Sequence, residues 1–418
     1  MQTLAQLRSG ELKGTKQLSI SENLTSFPHE IFELADTLEF LDLSNNLLSH
    51  IPSELSRLKK LKIAFFSYNN FTSMPSAFKE CENLYMLGLK ANQIEHFDEE
   101  ILPLSISWLI LTDNRLKSLP NSIGKLSKLQ KFPLAGNQLT YLPDSMAECK
   151  NLELLRLSAN QLQEIPSWLL TLPKLSWLAF SGNPCVESPE TNHKEIAYEE
   201  IEVKELLGEG ASGKIFKGYM KKLDKDVAIK FFKGAVTSDG YAKDEMNACM
   251  SVGEHENLIK VFAKIKGDER LGLLLEYIPA IFENLGLPPN FDTCTRDIYE
   301  EGREFSIESI YKIAKAIVSA ASHLHNKGLM HGDLYAHNIL INNEYKCYLG
   351  DFGAASFYDK ENRDYEKIEV RAFGCLLDDM LVRCDKKDEQ SYKSLDVLRN
   401  KCMSEDVQSR PLFEEMVF

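Results

Sequence analysis

Eight asparagines, Asn23, Asn46, Asn69, Asn92, Asn114, Asn137, Asn160 and Asn183, recur every 23 residues with one step of 22. A fixed period of that length means one short unit stacked on copies of itself, because so short a unit cannot bury its apolar face alone. Between asparagines the chain reads Leu38-x-x-Leu41-x-Leu43-x-x-Asn46-x-Leu48, then Ile51-Pro52, Leu55 and Leu58. Leucines so spaced point inward, and the asparagine is expected to turn inward with them, bonding backbone groups that the turn leaves unpaired. Leu4, Leu7 and Leu12 around Gly10 predict a short helix capping the stack within residues 1–14, and Asn183-Pro184-Cys185 marks its other edge.

This pattern resembles leucine-rich repeats, which implies an α/β solenoid over residues 15–187 with its strands on a concave face. Side chains alternate along a strand, so the positions flanking the second leucine face that surface. One such row holds Phe40, Ile63, Met86, Trp108, Leu154 and Trp177, and its neighbour adds Phe65 and Ile110. An exposed apolar strip of this kind marks an interface with a protein partner or substrate. Strand propensity alone also favours aromatic and β-branched residues there.

The chain has 418 residues, enough for two cores, and its net charge of −14 argues against nucleic acid, whose binding needs a basic stripe. No signal peptide is expected from the first residues, and no apolar run approaches the roughly 20 residues of a membrane span. Nine scattered cysteines without a C-x-x-C pair suit a reducing, cytoplasmic setting.

From residue 206 the composition changes, past an expected linker at 188–198. Gly208-Glu209-Gly210-Ala211-Ser212-Gly213 is followed by Val227-Ala228-Ile229-Lys230, by Glu245 on a helical stretch, and by Leu271 to Ile278, a buried strand running into a hinge. Then come His331-Gly332-Asp333-Leu334-Tyr335-Ala336-His337-Asn338 and Asp351-Phe352-Gly353. In order and spacing, residues 199–418 resemble a protein kinase, which implies an α+β bilobal domain using ATP and Mg2+. By that resemblance Gly208, Glu209, Gly210 and Gly213 cover the phosphates, while Ile215, Ala228 and Leu275 line the base site and the backbone of Glu276 and Ile278 holds adenine. Lys230, oriented by Glu245, binds the α and β phosphates; Asp333 meets the acceptor hydroxyl; Asn338 and Asp351 ligate the metal.

Three departures qualify the resemblance. Gly332 stands where an arginine usually precedes the catalytic aspartate, so a loop phosphate would lack its guanidinium partner. Activity is therefore expected not to need phosphorylation of Ser356, Tyr358 or Tyr365, and their removal should change the rate only a few-fold. The segment from Asp351 to Glu369 is about half the usual length, and Arg410-Pro411 lacks a recognisable Ala-Pro-Glu partner. Tyr335 and His337 occupy the places of the lysine of serine/threonine kinases and the arginine of tyrosine kinases.

The loop also resembles that of small-molecule phosphotransferases, and a nucleotide-binding scaffold with little turnover is a further alternative. The glycines, Val-Ala-Ile-Lys and Asp-Phe-Gly favour a kinase acting on protein hydroxyls, serine or threonine rather than tyrosine, with the repeats selecting the target. An insertion at 279–297 would either shape substrate access or form a surface loop.

Overall fold

The computed structural model describes residues 2–189, 194–210, 212–222, 224–234, 237, 239–267, 271–385 and 389–418. Met1, residues 190–193 of the expected linker and Ala211 of the glycine-rich turn lie outside the described residues. The chain divides into two compact units, Met1–Leu155 with Asn160–Leu172, and Arg156–Ala159 with Pro173–Phe418.

The first unit opens with the expected capping helix, α1 (Leu4–Arg8). Thr3 accepts from the Gln6 N–H while the Gln6 side chain accepts from the Thr3 N–H, a reciprocal cap that satisfies two donors at the helix start. The repeats then supply eight three-residue strands, β1 (Gln17–Ser19), β2 (Phe40–Asp42), β3 (Ile63–Phe65), β4 (Met86–Gly88), β5 (Trp108–Ile110), β6 (Lys131–Pro133), β7 (Leu154–Arg156) and β8 (Trp177–Ala179). They form one sheet in chain order, and β1 through β6 pair in parallel. The return path of most repeats is a short 3-10 turn entered through a proline, such as Pro52, Pro120 or Pro143, which cannot donate to a ladder and so begins the turn.

Seven of the eight asparagines point inward. The Oδ1 of Asn137 accepts from Leu116 N at 3.1 Å, while its Nδ2 donates to Leu111 O and Leu134 O, both at 2.9 Å, tying its own repeat to the preceding one. The residue before each inward asparagine has positive φ: Asn45, Tyr68, Ala91, Asp113, Gly136, Ala159 and Gly182. That left-handed step turns the chain so that the amide reaches the backbone of the preceding repeat. Asn23 breaks the pattern: it is itself left-handed (φ 55°) and exposed, because only the cap precedes it.

The expected apolar strip is mostly covered. Ile63, Met86, Trp108, Leu154 and Trp177 are buried, and only Phe40, Phe65 and Ile110 remain half-buried. Strands stand close enough for neighbouring repeats to shield each other. Phe40 meets Phe65 edge-on at 5.8 Å, Phe65 lies where a Cβ at Gly88 would sit, and the Lys131 ammonium caps the Trp108 ring at 4.1 Å.

The second unit contains a six-stranded sheet in the order β10-β11-β12-β14-β13-β9, from β9 (Glu195–Ala197), β10 (Ile201–Glu209), β11 (Gly213–Met220), β12 (Lys225–Phe232), β13 (Val261–Lys266) and β14 (Gly272–Glu276). Helix α2 (Ala242–Ser251) follows β12 in the chain. The remainder is built on α3 (Ile307–His325), α4 (Asp364–Val382) and α5 (Gln390–Cys402). Ser306 caps α3 by accepting from Ser309 N, and Ile310, Ile313, Ala314, Ile317, Ala321 and Leu324, three or four apart, are its buried stripe. Small ribbons complete it: β15 (Glu283–Asn284), β16 (Leu329–Met330), β17 (Ile339–Ile341), β18 (Cys347–Leu349) and β19 (Ser356–Phe357).

Strand β8 is packed within this unit. Phe180 N and Ser181 N donate to Ser356 Oγ at 2.9 and 3.1 Å, the Phe180 ring meets Tyr365 at 5.2 Å, and Arg371 Nη1 donates to Ser176 Oγ at 2.7 Å. Arg410 has no glutamate partner among the described residues and donates to three backbone oxygens, Ser404 O, Lys367 O and Pro173 O. Ser356 is thus a structural acceptor rather than a neutral hydroxyl.

Urea unfolding checks the asparagine ladder. Asn137→Ala leaves the buried Leu116 N–H without a partner and removes one of two donors from Leu111 O and Leu134 O, which keep Asn114 Nδ2 and Asn160 Nδ2; it should cost about 2 kcal/mol, at 1–3 kcal/mol for the one group left unpaired, whereas Asn23→Ala should stay within about 0.5 kcal/mol of the parent.

Candidate active site

Lys230 lies mid-strand on β12, paired with Ile215 and Leu273, so the sheet fixes its Cα and points the ammonium into the cleft. There it forms a buried ion pair with Glu245 of α2 and approaches Asp351 Oδ1 at 3.9 Å. Asp244, one position earlier on the helix, lies instead beside Gly182 and has its pKa raised by burial. Burial opposes the Lys230 charge, but Glu245 and Asp351 outweigh it and its pKa lies above the ordinary value. Burial pushes the Glu245 carboxyl up to about 7 despite Lys230.

A cavity of about 140 Å3 opens beside this pair. Gly210, Gly213, Ile215, Lys230, Glu245, Leu275 and Asp351, all expected from sequence except for the particular depth of Glu245, line it. So do Ser212, Cys249, Ile259, Val261, Leu273 and Phe352, which sequence reasoning missed. Cys249 was the most legible of these, four residues beyond Glu245 on the same helical face. Gly208, Glu209, Ala228, Glu276 and Ile278 lie on the surrounding strands and hinge but are not among the lining residues. Glu276 N already donates to Lys260 O at 2.8 Å.

The loop between β16 and β17 carries the second group. Asn338 Nδ2 donates to both the backbone oxygen and Oδ2 of Asp333, each at 2.9 Å, so the five-residue spacing closes a turn around the carboxylate. Beneath it, the buried carboxylate of Glu369 on α4 accepts from His331 N at 3.1 Å, from Gly332 N at 2.7 Å, and from the His325 ring. Burial works against that charge, yet His325 and the other facing donors hold its pKa below the ordinary glutamate value. The far end of the loop is tied by Asp297, which accepts from Ala336 N and from the His337 ring at 2.7 Å. Asp297 is the last residue of the insertion, whose end therefore braces the loop, while Ile281, Leu287 and Phe291 within it are exposed on the surface.

Gly332 has φ +74°, and a Cβ there would fall 2.6 Å from both Ala354 O and Leu178 O. No side chain fits, which is the physical reason an arginine is absent. Asp351 is also left-handed (φ 56°), with its carboxylate half exposed beside Lys230. A non-glycine residue held there is a strained arrangement of the kind concentrated at functional sites. Two oxygen donors, the Asp351 carboxylate and the Asn338 amide oxygen, are hard ligands that fit Mg2+. The hydroxyls considered as phosphorylation sites are engaged: Ser356 is fully buried, and Tyr358 OH bonds the His325 ring at 2.7 Å. Burial raises the pKa of Tyr365 to about 12. Removing all three would therefore cost packing and hydrogen bonds, an effect on stability that is separate from the few-fold change expected in the rate.

Residues 201–375 match the family model of the protein kinase domain, and residues 36–94 and 105–162 match that of the leucine-rich repeat. The chain joins leucine-rich repeats to a protein kinase domain. It is 29% identical over 167 residues to a probable cyclin-dependent serine/threonine-protein kinase of Dictyostelium discoideum, covering 40% of this chain and 24% of that one. Likewise it is 28% identical over 162 residues to a putative L-type lectin-domain containing receptor kinase of Arabidopsis thaliana, covering 38% and 29%. A probable serine/threonine-protein kinase of Dictyostelium discoideum is 31% identical over 167 residues, covering 38% and 30%. The chain thus spans less than a third of the length of these relatives. A leucine-rich-repeat protein structure from Leptospira interrogans is 29% identical, with TM-score 0.35, covering 43% of this chain and 52% of that one. Protein kinase domains as a class use ATP with Mg2+.

The raised Glu245 pKa sets a pH dependence for the kinase domain. A folded-state value above the unfolded one favours the protonated fold, so this stabilisation is complete below about 4.5 and is lost as pH rises through about 7. Holding the Lys230 ammonium requires the opposite, ionised form. Nucleotide affinity should therefore rise from pH 6 to pH 8 with a midpoint near 7, and titration of Glu245→Gln should show no such step.

Proposed function

We propose that this chain is a protein kinase that transfers the γ-phosphate of Mg-ATP to a protein hydroxyl, serine or threonine rather than tyrosine. The observation that carries this reading is the convergence of Lys230, Glu245 and Asp351 at one cavity with the Asp333–Asn338 turn directly preceding in the chain. The kinase domain is taken as residues 199–418 and the repeats as 15–187, between a cap at 1–14 and a linker at 188–198.

In this reading Gly208, Glu209, Gly210 and Gly213 cover the phosphates, Ile215, Ala228 and Leu275 enclose the base, and Glu276 and Ile278 offer it backbone groups. Lys230, held by Glu245, neutralises the α and β phosphates. Asn338 and Asp351 hold Mg2+, which supplies charge neutralisation across the phosphates when bound. Asp333 orients the acceptor hydroxyl and takes its proton as the oxygen bonds to the γ-phosphorus and the bond to the bridging oxygen breaks, releasing ADP. Most of the rate then comes from positioning and fixed charge.

The leucine-rich repeats are suited to binding a protein, and target selection is assigned to their strand face. The half-buried Phe40, Phe65 and Ile110 are its accessible apolar residues, with Ile63, Met86, Trp108 and Leu154 beneath them as support. No helix among the described residues is long and apolar enough to cross a membrane, and a cytoplasmic enzyme is the proposed setting.

The test is incorporation of labelled phosphate from ATP by the full chain. Asp351→Asn and Asp333→Asn should each lower turnover by roughly 1,000-fold, about 4 kcal/mol of barrier; equal incorporation by wild type and Asp351→Asn would leave only a nucleotide-binding scaffold.

A further inference from the structure

Arg156 closes strand β7 and belongs to the second unit. Its guanidinium is almost wholly buried and uses all three nitrogens: Nη2 on Asp333 Oδ1, Nη1 on Gly332 O at 3.0 Å, and Nε on Asp239 Oδ1 at 3.1 Å. The other oxygen of Asp333 is held by Asn338. Beside it, Trp177 of β8 donates its indole N–H to Leu334 O at 3.2 Å and stacks on Tyr335 with ring centroids 4.4 Å apart and planes 5° from parallel. Every residue from Gly332 to Tyr335 therefore touches a side chain or backbone group of residues 156–178.

Two roles fit a guanidinium on this carboxylate. It would either block the loop until it is withdrawn, or belong permanently to the working loop. Withdrawal is opposed by the surroundings of Arg156. The strand and turn that carry it are laddered to β8 and the turn after it, with Leu157 N donating to Ala179 O and Ala159 N to Ser181 O. That neighbouring segment is in turn fixed by Ser356, Leu334, Arg371 and Arg410. Lifting Arg156 would strand a cation and break a set of buried polar contacts at once. The Asp333 side chain nevertheless keeps 20% of its surface exposed, so an acceptor hydroxyl has a path to it.

We infer that Arg156, supplied by the seventh repeat, is a positioning residue of the phosphoryl-transfer site. It fixes the Asp333 carboxylate through Nη2 while Nη1 holds the adjoining Gly332 carbonyl, and places a permanent positive charge where the carboxylate meets the incoming phosphates. The loop itself offers no such group: between Asp333 and Asn338 lie only Leu334, Tyr335, Ala336 and His337, and the His337 ring is turned onto Asp297. A fixed cation costs no reorganisation during the reaction and works strongly in a site shielded from water. The sources of charge and of substrate selection are then both in the repeats, but at different places.

This inference rests on the kinase reading above, and the experiment separates the two. Full-length wild type, Arg156→Gln, Arg156→Lys and Asp351→Asn are compared for labelled-phosphate transfer from Mg-ATP to casein and in autophosphorylation, with fluorescent-ATP affinity measured on each. Arg156→Gln should lower kcat by roughly 100-fold while nucleotide affinity stays within about threefold, and Arg156→Lys should recover part of the loss because charge returns without the fork. Wild-type or faster turnover in Arg156→Gln overturns the inference, a gain showing that the contact is inhibitory. If Arg156→Gln loses nucleotide affinity as well, Arg156→Lys decides: turnover above wild type overturns the inference, and turnover between wild type and zero at retained affinity supports it. Activity that Asp351→Asn leaves unchanged defeats the kinase reading itself.

Discussion

The buried carboxylate of Glu369 is the point from which the catalytic loop hangs. Its two oxygens collect the N–H groups of His331 and Gly332 and the ring of His325, all inside the protein. A charge so buried is tolerated only because each of its two oxygens has a donor. With that end fixed, Asp297 ties the loop at Ala336 and His337, and Arg156 and Asn338 grip the carboxylate between them. The loop has little regular structure of its own, so its shape is set by these acceptors and donors.

Much of this was readable in advance, for reasons that can be named. Burial of seven asparagines followed from an amide repeated among leucines, and Lys230 with Glu245 followed from a strand and a helix whose spacing brings them together. Spacing within one element, or between neighbours in the chain, is a strong signal. Arg156 and Asp333 are 177 positions apart and lie in segments with different patterns, so no periodicity links them. Asp297 was hidden in the same way, inside an insertion with no pattern at all.

The apolar strip shows a different limit. Alternation along a strand gives the face a side chain points to but not what lies above it. Trp177 faces as expected yet is covered by Tyr335, and Met86 and Leu154 are buried too. The left-handed residue before each inward asparagine is of a favoured type at Asn45, Asp113, Gly136 and Gly182, but unmarked at Tyr68, Ala91 and Ala159, which are not residues that announce such a turn.

Gly332 carries a consequence for which residues this loop can accept. Carbonyl oxygens of Ala354 and Leu178 stand on either side of where its Cβ would be. No single substitution restores a side chain at that site without moving the activation-segment backbone or the eighth strand. A side chain at this position would thus have to displace backbone from two directions at once, so the loop tolerates only the one residue type that has none.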